Sequence, residues 1–145
     1  MSRSCYLVGL ISPEHPGSLA WRGEAAELLR AADWIPLVPR DMKHARGDGI
    51  KTAVSAKSVV ARDMKDLQEC DVVLWNANLF GATRQSVGSF MELGMALLLR
   101  KPVVAIADKD DHVSRKHPFL VELVSAYYTT VEGACEFLTS YYGEI

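Results

Sequence analysis

Five β-rich runs, residues 5–11, 34–38, 71–76, 102–107 and 125–130, alternate with stretches of helical spacing or helix-forming composition at 18–32, 52–70, 88–100, 118–124 and 131–142. Such alternation is the signature of an α/β fold with a parallel sheet. The first and third runs are almost continuously apolar, as expected of strands with helices packed on both faces. The pattern predicts a Rossmann-like, doubly wound, five-stranded parallel sheet with helices on both faces. A chain of 145 residues has room for one sizeable core, so residues 1–145 are expected to form a single domain. There is no internal repeat and no low-complexity linker. The glycine- and charge-rich stretch 40–51 reads either as a loop over a site or as an ordinary surface loop.

Charge narrows the classes of partner. A formal net charge of −2, with acids and bases scattered along the chain, offers no basic face to nucleic acid and no polybasic patch to a membrane surface. The longest apolar runs, such as 95–99, are far shorter than a membrane span, and the amino terminus has no secretory apolar core. A cytoplasmic protein acting on a small molecule is the expectation. Cys5, Cys70 and Cys135 are widely spaced among apolar neighbours and read as buried small hydrophobes. His15, His44, His112 and His117 have no metal-ligand spacing, and each is expected at the surface.

In doubly wound folds, ligands bind beyond the carboxyl ends of the strands, where strand order reverses. That rule directs attention to the loops 9–17 and 76–88, neither of which reads GxGxxG or as a Walker phosphate loop. The second loop leads into the helix that carries Glu92 among Phe90, Met91, Leu93, Met95, Ala96, Leu97, Leu98 and Leu99. A carboxylate in the first turn of a helix apolar on nearly all sides is expected to be buried, held ionised by the helix dipole and available as a nucleophile; the plainer alternative is a Glu satisfying free backbone N–H groups. Asp63 repeats the anomaly, since it shares a stripe with Val60, Met64 and Leu67 and no partner within its helix obviously explains it. Two carboxylates at one cleft make a nucleophile and general-acid pair suited to glycosidic bonds. Ser86, Gly88 and Ser89 at the start of the Glu92 helix, with Arg84 upstream, form a candidate anion site or a plain N-cap. Tyr6, on the first strand, is positioned to direct its hydroxyl into the cleft, with Gly9 and Ile11 at its mouth. Trp21 and Phe80 are core aromatics or platforms for a base.

Three segments together resemble the nucleoside 2-deoxyribosyltransferase superfamily, which includes the 2'-deoxynucleoside 5'-monophosphate N-glycosidases. They are Tyr6-Leu7-Val8-Gly9; Arg62-Asp63-Met64-Lys65-Asp66-Leu67 leading to Cys70-Asp71-Val72-Val73; and Ser86-Val87-Gly88 through Met91-Glu92-Leu93-Gly94-Met95-Ala96. The resemblance implies that Glu92 attacks the anomeric carbon, that Asp63 assists base departure or sugar positioning, that Tyr6 orients the nucleophile, and that Asp71 is structural. It also implies that a neighbouring subunit completes the site through the region of His117-Pro118-Phe119. Nucleoside-specific relatives tend to have Asp six residues before the nucleophile, and the monophosphate glycosidases have Ser, as here at Ser86. The chain departs from the family in a longer insertion, 79–85.

These readings converge on an N-glycosidase that hydrolyses a (deoxy)nucleoside 5'-monophosphate to free base and sugar 5-phosphate. Glu92, Asp63 and Tyr6 are the expected catalytic residues, and Gly9, Ile11, Ser86, Gly88, Ser89 and His117 the expected substrate contacts. Neither metal nor organic cofactor is expected, and the assembly is expected to be a homodimer or higher even homo-oligomer. The alternatives are a transferase that exchanges bases and a nucleotide-binding sensor domain without turnover.

Overall fold

The computed structural model describes residues 2–38 and 55–144. Strands β1 (Ser4–Gly9), β2 (Ile35–Leu37), β3 (Val72–Asn76), β4 (Val103–Ile106) and β5 (Val124–Tyr128) form one sheet, ordered β2-β1-β3-β4-β5. Every pairing is parallel. The order reverses between β1 and β3, so the crevice at the carboxyl ends of these two strands is the switch point. Tyr6 lies opposite Val73, and Gly9 opposite Asn76, at that edge.

The helices among the described residues are α1 (Gly17–Ala31), α2 (Ala56–Glu69), α3 (Val87–Leu98), α4 (His112–Lys116), α5 (Pro118–Leu123) and α6 (Val131–Tyr141), followed by a 3-10 turn at Tyr142–Glu144. Strand alternation sorts the core into two layers. Cys5, Leu7, Val72, Leu74, Val104 and Ile106 face α1 and α6, where Leu29, Ala134 and Leu138 meet them. Tyr6, Val8, Val73, Trp75, Val103 and Ala105 face the opposite layer, with Leu67 of α2, Leu93 and Ala96 of α3, and Leu120 and Leu123 of α5. The three cysteines are free and buried, as expected.

The expected strand and helix positions hold, with boundary changes that have local causes. Pairing of β1 stops at Gly9, because the backbone oxygens of Gly9 and Leu10 turn to accept hydrogen bonds from Arg22. β2 is a three-residue edge strand, where Pro36 is tolerated. The helix expected over 88–100 begins one residue earlier, with Ser86 as N-cap, and ends at Leu98 before Arg100 takes a left-handed φ of 57°. Helix α4 was not expected; it starts where Asp111 accepts a hydrogen bond from the Ser114 N–H, a cap followed by too short a run to show a period. The helix expected from 52 starts at Ala56 with Ser55 as its cap, and residues 52–54, the loop 40–51 and His44 lie outside the described residues.

Among the described residues no helix is long and apolar enough to cross a membrane.

Candidate active site

Tyr6 and Glu92 come together at the switch-point crevice. The Tyr6 side chain projects from β1 into the α2–α3 layer and is fully buried, and its hydroxyl donates a hydrogen bond to Oε2 of Glu92. Burial, reinforced by the Glu92 charge, pushes the phenol far above its usual range, so Tyr6 remains a donor at any physiological pH. Glu92 itself is pushed up to about 7: burial raises it, the Tyr6 hydrogen bond lowers it, the Asp63 charge raises it and the Arg22 charge lowers it. The carboxyl is therefore poised between its acid and anionic forms near neutrality.

Two expectations about Glu92 are corrected. It sits in the second turn of α3, because the helix starts at Val87, and burial outweighs any help from the helix dipole, leaving its pKa raised. Nor is the helix buried all round: Ser89, Leu93 and Ala96 are buried, while Val87, Met91 and Leu98 are 75%, 68% and 76% exposed. The core takes one stripe of α3, and its other apolar side chains face away from the sheet.

Asp63 on α2 is near enough for its charge to act on both Glu92 and Tyr6. Its stripe is only partly the one expected, because Met64 packs on the core and Leu67 is in it while Val60 is 59% exposed. Arg62 swings round to within 3.6 Å of Asp63 Oδ1, a partner that helical spacing had discounted. That oxygen has no hydrogen-bond partner among the described residues. Burial raises the Asp63 pKa, with the Arg62 charge opposing and the Asp66 charge adding. Asp71 accepts a hydrogen bond from the Ser4 backbone N–H at 2.8 Å, tying β3 to β1 as a structural residue would.

Around this pair, Gly9 is fixed by space: a Cβ there would lie 3.1 Å from both the Asn76 carbonyl oxygen and the Trp21 ring. Ile11 follows just beyond the strand, half-buried. Ser86 caps α3 by accepting from the Ser89 N–H at 3.1 Å, and its hydroxyl lies 2.7 Å from that of buried Ser89. Gly88 in the same turn has open space where a Cβ would stand. His117 stands apart. It caps α5, is exposed, and lines an apolar groove of about 390 Å³ with Phe90, Gly94, Leu97 and Phe119, a groove that includes neither Tyr6 nor Glu92.

Trp21 is core. Phe80, in the insertion 79–85, takes a left-handed φ of 52° and seats its ring so tightly on Gly17 that a Cβ there would be 2.6 Å away. His15 is half-buried, against the expectation of exposure, with Nδ1 2.8 Å from the Ser12 hydroxyl. No three His, Cys, Asp or Glu side chains cluster as metal ligands among the described residues.

Sequence reasoning missed Arg22. It shares the buried stripe of α1 with Ser18, Trp21, Ala25, Ala26 and Leu29. The spacing argument that singled out Asp63 applies equally to it and would have found it.

The comparisons agree with this architecture. A conserved protein from Enterococcus faecalis V583 superposes with a TM-score of 0.69 at 17% identity, over 97% of this chain and 99% of its own. A 2-desoxiribosyltransferase from Leishmania mexicana gives 0.68 at 17%, over 95% and 97%. The CMP N-glycosidase BcmB from Clostridium botulinum gives 0.64 at 13%, over 96% and 99%. No curated protein matches the chain in sequence. The family model described as nucleoside 2-deoxyribosyltransferase matches residues 8–135, a span holding Asp63, Ser86, Glu92 and His117, and the chain belongs to that family.

Proposed function

We propose that the protein is an N-glycosidase that hydrolyses a (deoxy)nucleoside 5'-monophosphate to free base and sugar 5-phosphate. The observation that carries this reading is the buried Tyr6 hydroxyl hydrogen-bonded to Glu92 at the switch point, a carboxylate oriented by a donor that does not itself ionise. Glu92 attacks the anomeric carbon, the C–N bond breaks, and a glycosyl ester forms. Asp63, whose raised pKa favours retention of a proton, delivers that proton to the departing base or positions the sugar. Water then adds to the anomeric carbon, passing a proton to the Asp63 carboxylate, and the ester C–O bond breaks to restore Glu92. No step calls for a metal or organic cofactor.

The 5'-phosphate is bound at the start of α3. The Ser86 hydroxyl is taken up by the cap and by Ser89, so the free N–H groups of the first turn and the open space over Gly88 supply the anion site, with Gly9 and Ile11 facing the sugar and base. An Asp at 86 would repel the dianion; Ser does not. A second copy of the chain covers the exposed apolar side of α3 and the neighbouring groove, giving a homodimer or higher even homo-oligomer in which His117 closes the partner's site.

Base exchange is the second reading, favoured by the family match itself. One assay separates them: monophosphates and the corresponding nucleosides are incubated with and without a second base, and free base and new nucleoside are resolved by chromatography. Base release from monophosphates at least about tenfold more efficient than from nucleosides, with no exchange product, is expected. Equal cleavage of nucleosides, or base exchange, overturns the hydrolase reading.

A further inference from the structure

Arg22 is 2% exposed, yet no carboxylate among the described residues lies within ion-pair distance of it. Its guanidinium donates instead to three backbone oxygens: Nη2 to Gly9 at 2.9 Å, and Nη1 to Leu10 at 3.3 Å and to Ser18 at 2.9 Å. Its Nε is buried with no hydrogen-bond partner among the described residues. The guanidinium carbon lies over the Trp21 ring, 4.9 Å from its centre. Carbonyl oxygens satisfy donors but do not neutralise a buried positive charge, and a fold that needed only to tie down the chain after β1 has neutral ways of doing so. The acidic side chains that feel this charge are Glu92 and Tyr6, and of the two only Glu92 ionises near neutrality.

We propose that Arg22 is a positioning residue of the active site, fixing the backbone at the end of β1 while supplying buried positive charge that favours the anionic, attacking form of Glu92. This rests on the reading of Glu92 as nucleophile. The groups whose charge or hydrogen bond acts on Glu92 are Tyr6 from β1, Asp63 from α2 and Arg22 from α1. Tyr6 donates without bringing a charge, and Asp63, once it has given up its proton, brings a charge of the wrong sign. Arg22 is thus the cation that opposes both the burial and the Asp63 carboxylate. Even with its own pKa lowered by burial to about 10, it stays charged at neutral pH.

The test is the titration of the Glu92 carboxyl by carbon-13 NMR, assigned by its loss in Glu92→Gln, in wild type, Arg22→Met and Arg22→Lys. Arg22→Met is expected to raise the proton affinity of Glu92 at least about tenfold and to move the acid limb of kcat upward equally, so that much of the lost rate returns at high pH. Arg22→Lys keeps the charge but not the planar fork; Glu92 is expected to titrate within about twofold of wild type while kcat falls at every pH. An unmoved titration in folded Arg22→Met overturns the proposal, as does an Arg22→Lys shift as large as that of Arg22→Met. Arg22→Gln takes the place of Arg22→Met if the latter does not fold, and failure of all three to fold returns Arg22 to a purely architectural role and also overturns it. Because the titration needs no substrate, a protein that releases no base would sink the proposed function while leaving this result legible.

Discussion

The two sides of the sheet are built to different rules. Against α1 and α6 the inward side chains of β1, β3 and β4 are Cys5, Leu7, Val72, Leu74, Val104 and Ile106, and the helices answer with apolar groups. Against α2 and α3 the same strands present Tyr6 and Trp75, and the helices bring Glu92 and Asp63 close to that layer. One side removes apolar area from water with little polar cost. The other keeps carboxyl groups partly desolvated, with their protonation pushed toward neutrality. Stability is concentrated where no group titrates near neutrality, and chemistry where the packing tolerates a cost.

The two sides should respond differently to substitution. Glu92→Gln is expected to lower kcat/KM for base release by at least about a thousandfold, roughly 4 kcal/mol in the barrier, without lowering the melting temperature. A rate within tenfold of wild type would remove chemistry from that side. Leu138→Ala, fully buried on the other side, should lose about 3 kcal/mol in urea unfolding while kcat at a permissive temperature stays within about twofold. A collapse of kcat in protein that remains folded would erase the division of labour. Asp63→Asn should depress kcat about a hundredfold, near 2.7 kcal/mol, with a much smaller change in KM, as steady-state kinetics will show.

Stability against pH sharpens the contrast. The folded pKa of Glu92, about 7, lies above its ordinary 4.5, so the native state holds the proton more tightly than the unfolded chain. Stability is greatest below 4.5 as far as this group is concerned and falls as pH rises from 4.5 to 7, by about 2 kcal/mol after allowing for partial solvent access. Asp63, also raised, adds a change of the same sign. Urea midpoints across this window should decline in wild type and flatten in Glu92→Gln; parallel curves would refute the assignment. The smallest effect is expected for Tyr6→Phe, about tenfold in kcat at pH 7, with part of the rate regained at higher pH because Glu92 loses the hydrogen bond that lowers its pKa.

Much of this was legible in the sequence, because strand and helix periods are set by burial and burial is what the sequence encodes. Glu92 and Asp63 stand out as acids on apolar stripes, and the structure joins Glu92 to Tyr6 and brings Asp63 near enough for its charge to act on both. What failed was inference from apolarity to burial: Val87, Met91 and Leu98 look like core and face outward, since one sheet can cover only one stripe of a helix. Arg22 was passed over because a basic residue in a helix reads as solvated, although its buried neighbours at three and four residues argue otherwise. Long-range packing such as Phe80 on Gly17 leaves no local trace.

The bond between Tyr6 and Glu92 joins positions separated by 86 residues. During synthesis the phenol emerges long before its carboxylate, and at about 5–20 residues per second the ribosome takes several seconds or more to deliver Glu92. An N-terminal fragment ending at β3 would hold the tyrosine and no acceptor for it. The contact closes only when β1 and α3 meet across that length of chain, a non-local pairing whose loop-closure entropy has to be met before the contact repays it. Recovery of activity after dilution from denaturant should accordingly trail recovery of helical signal, making turnover a late clock for the whole chain.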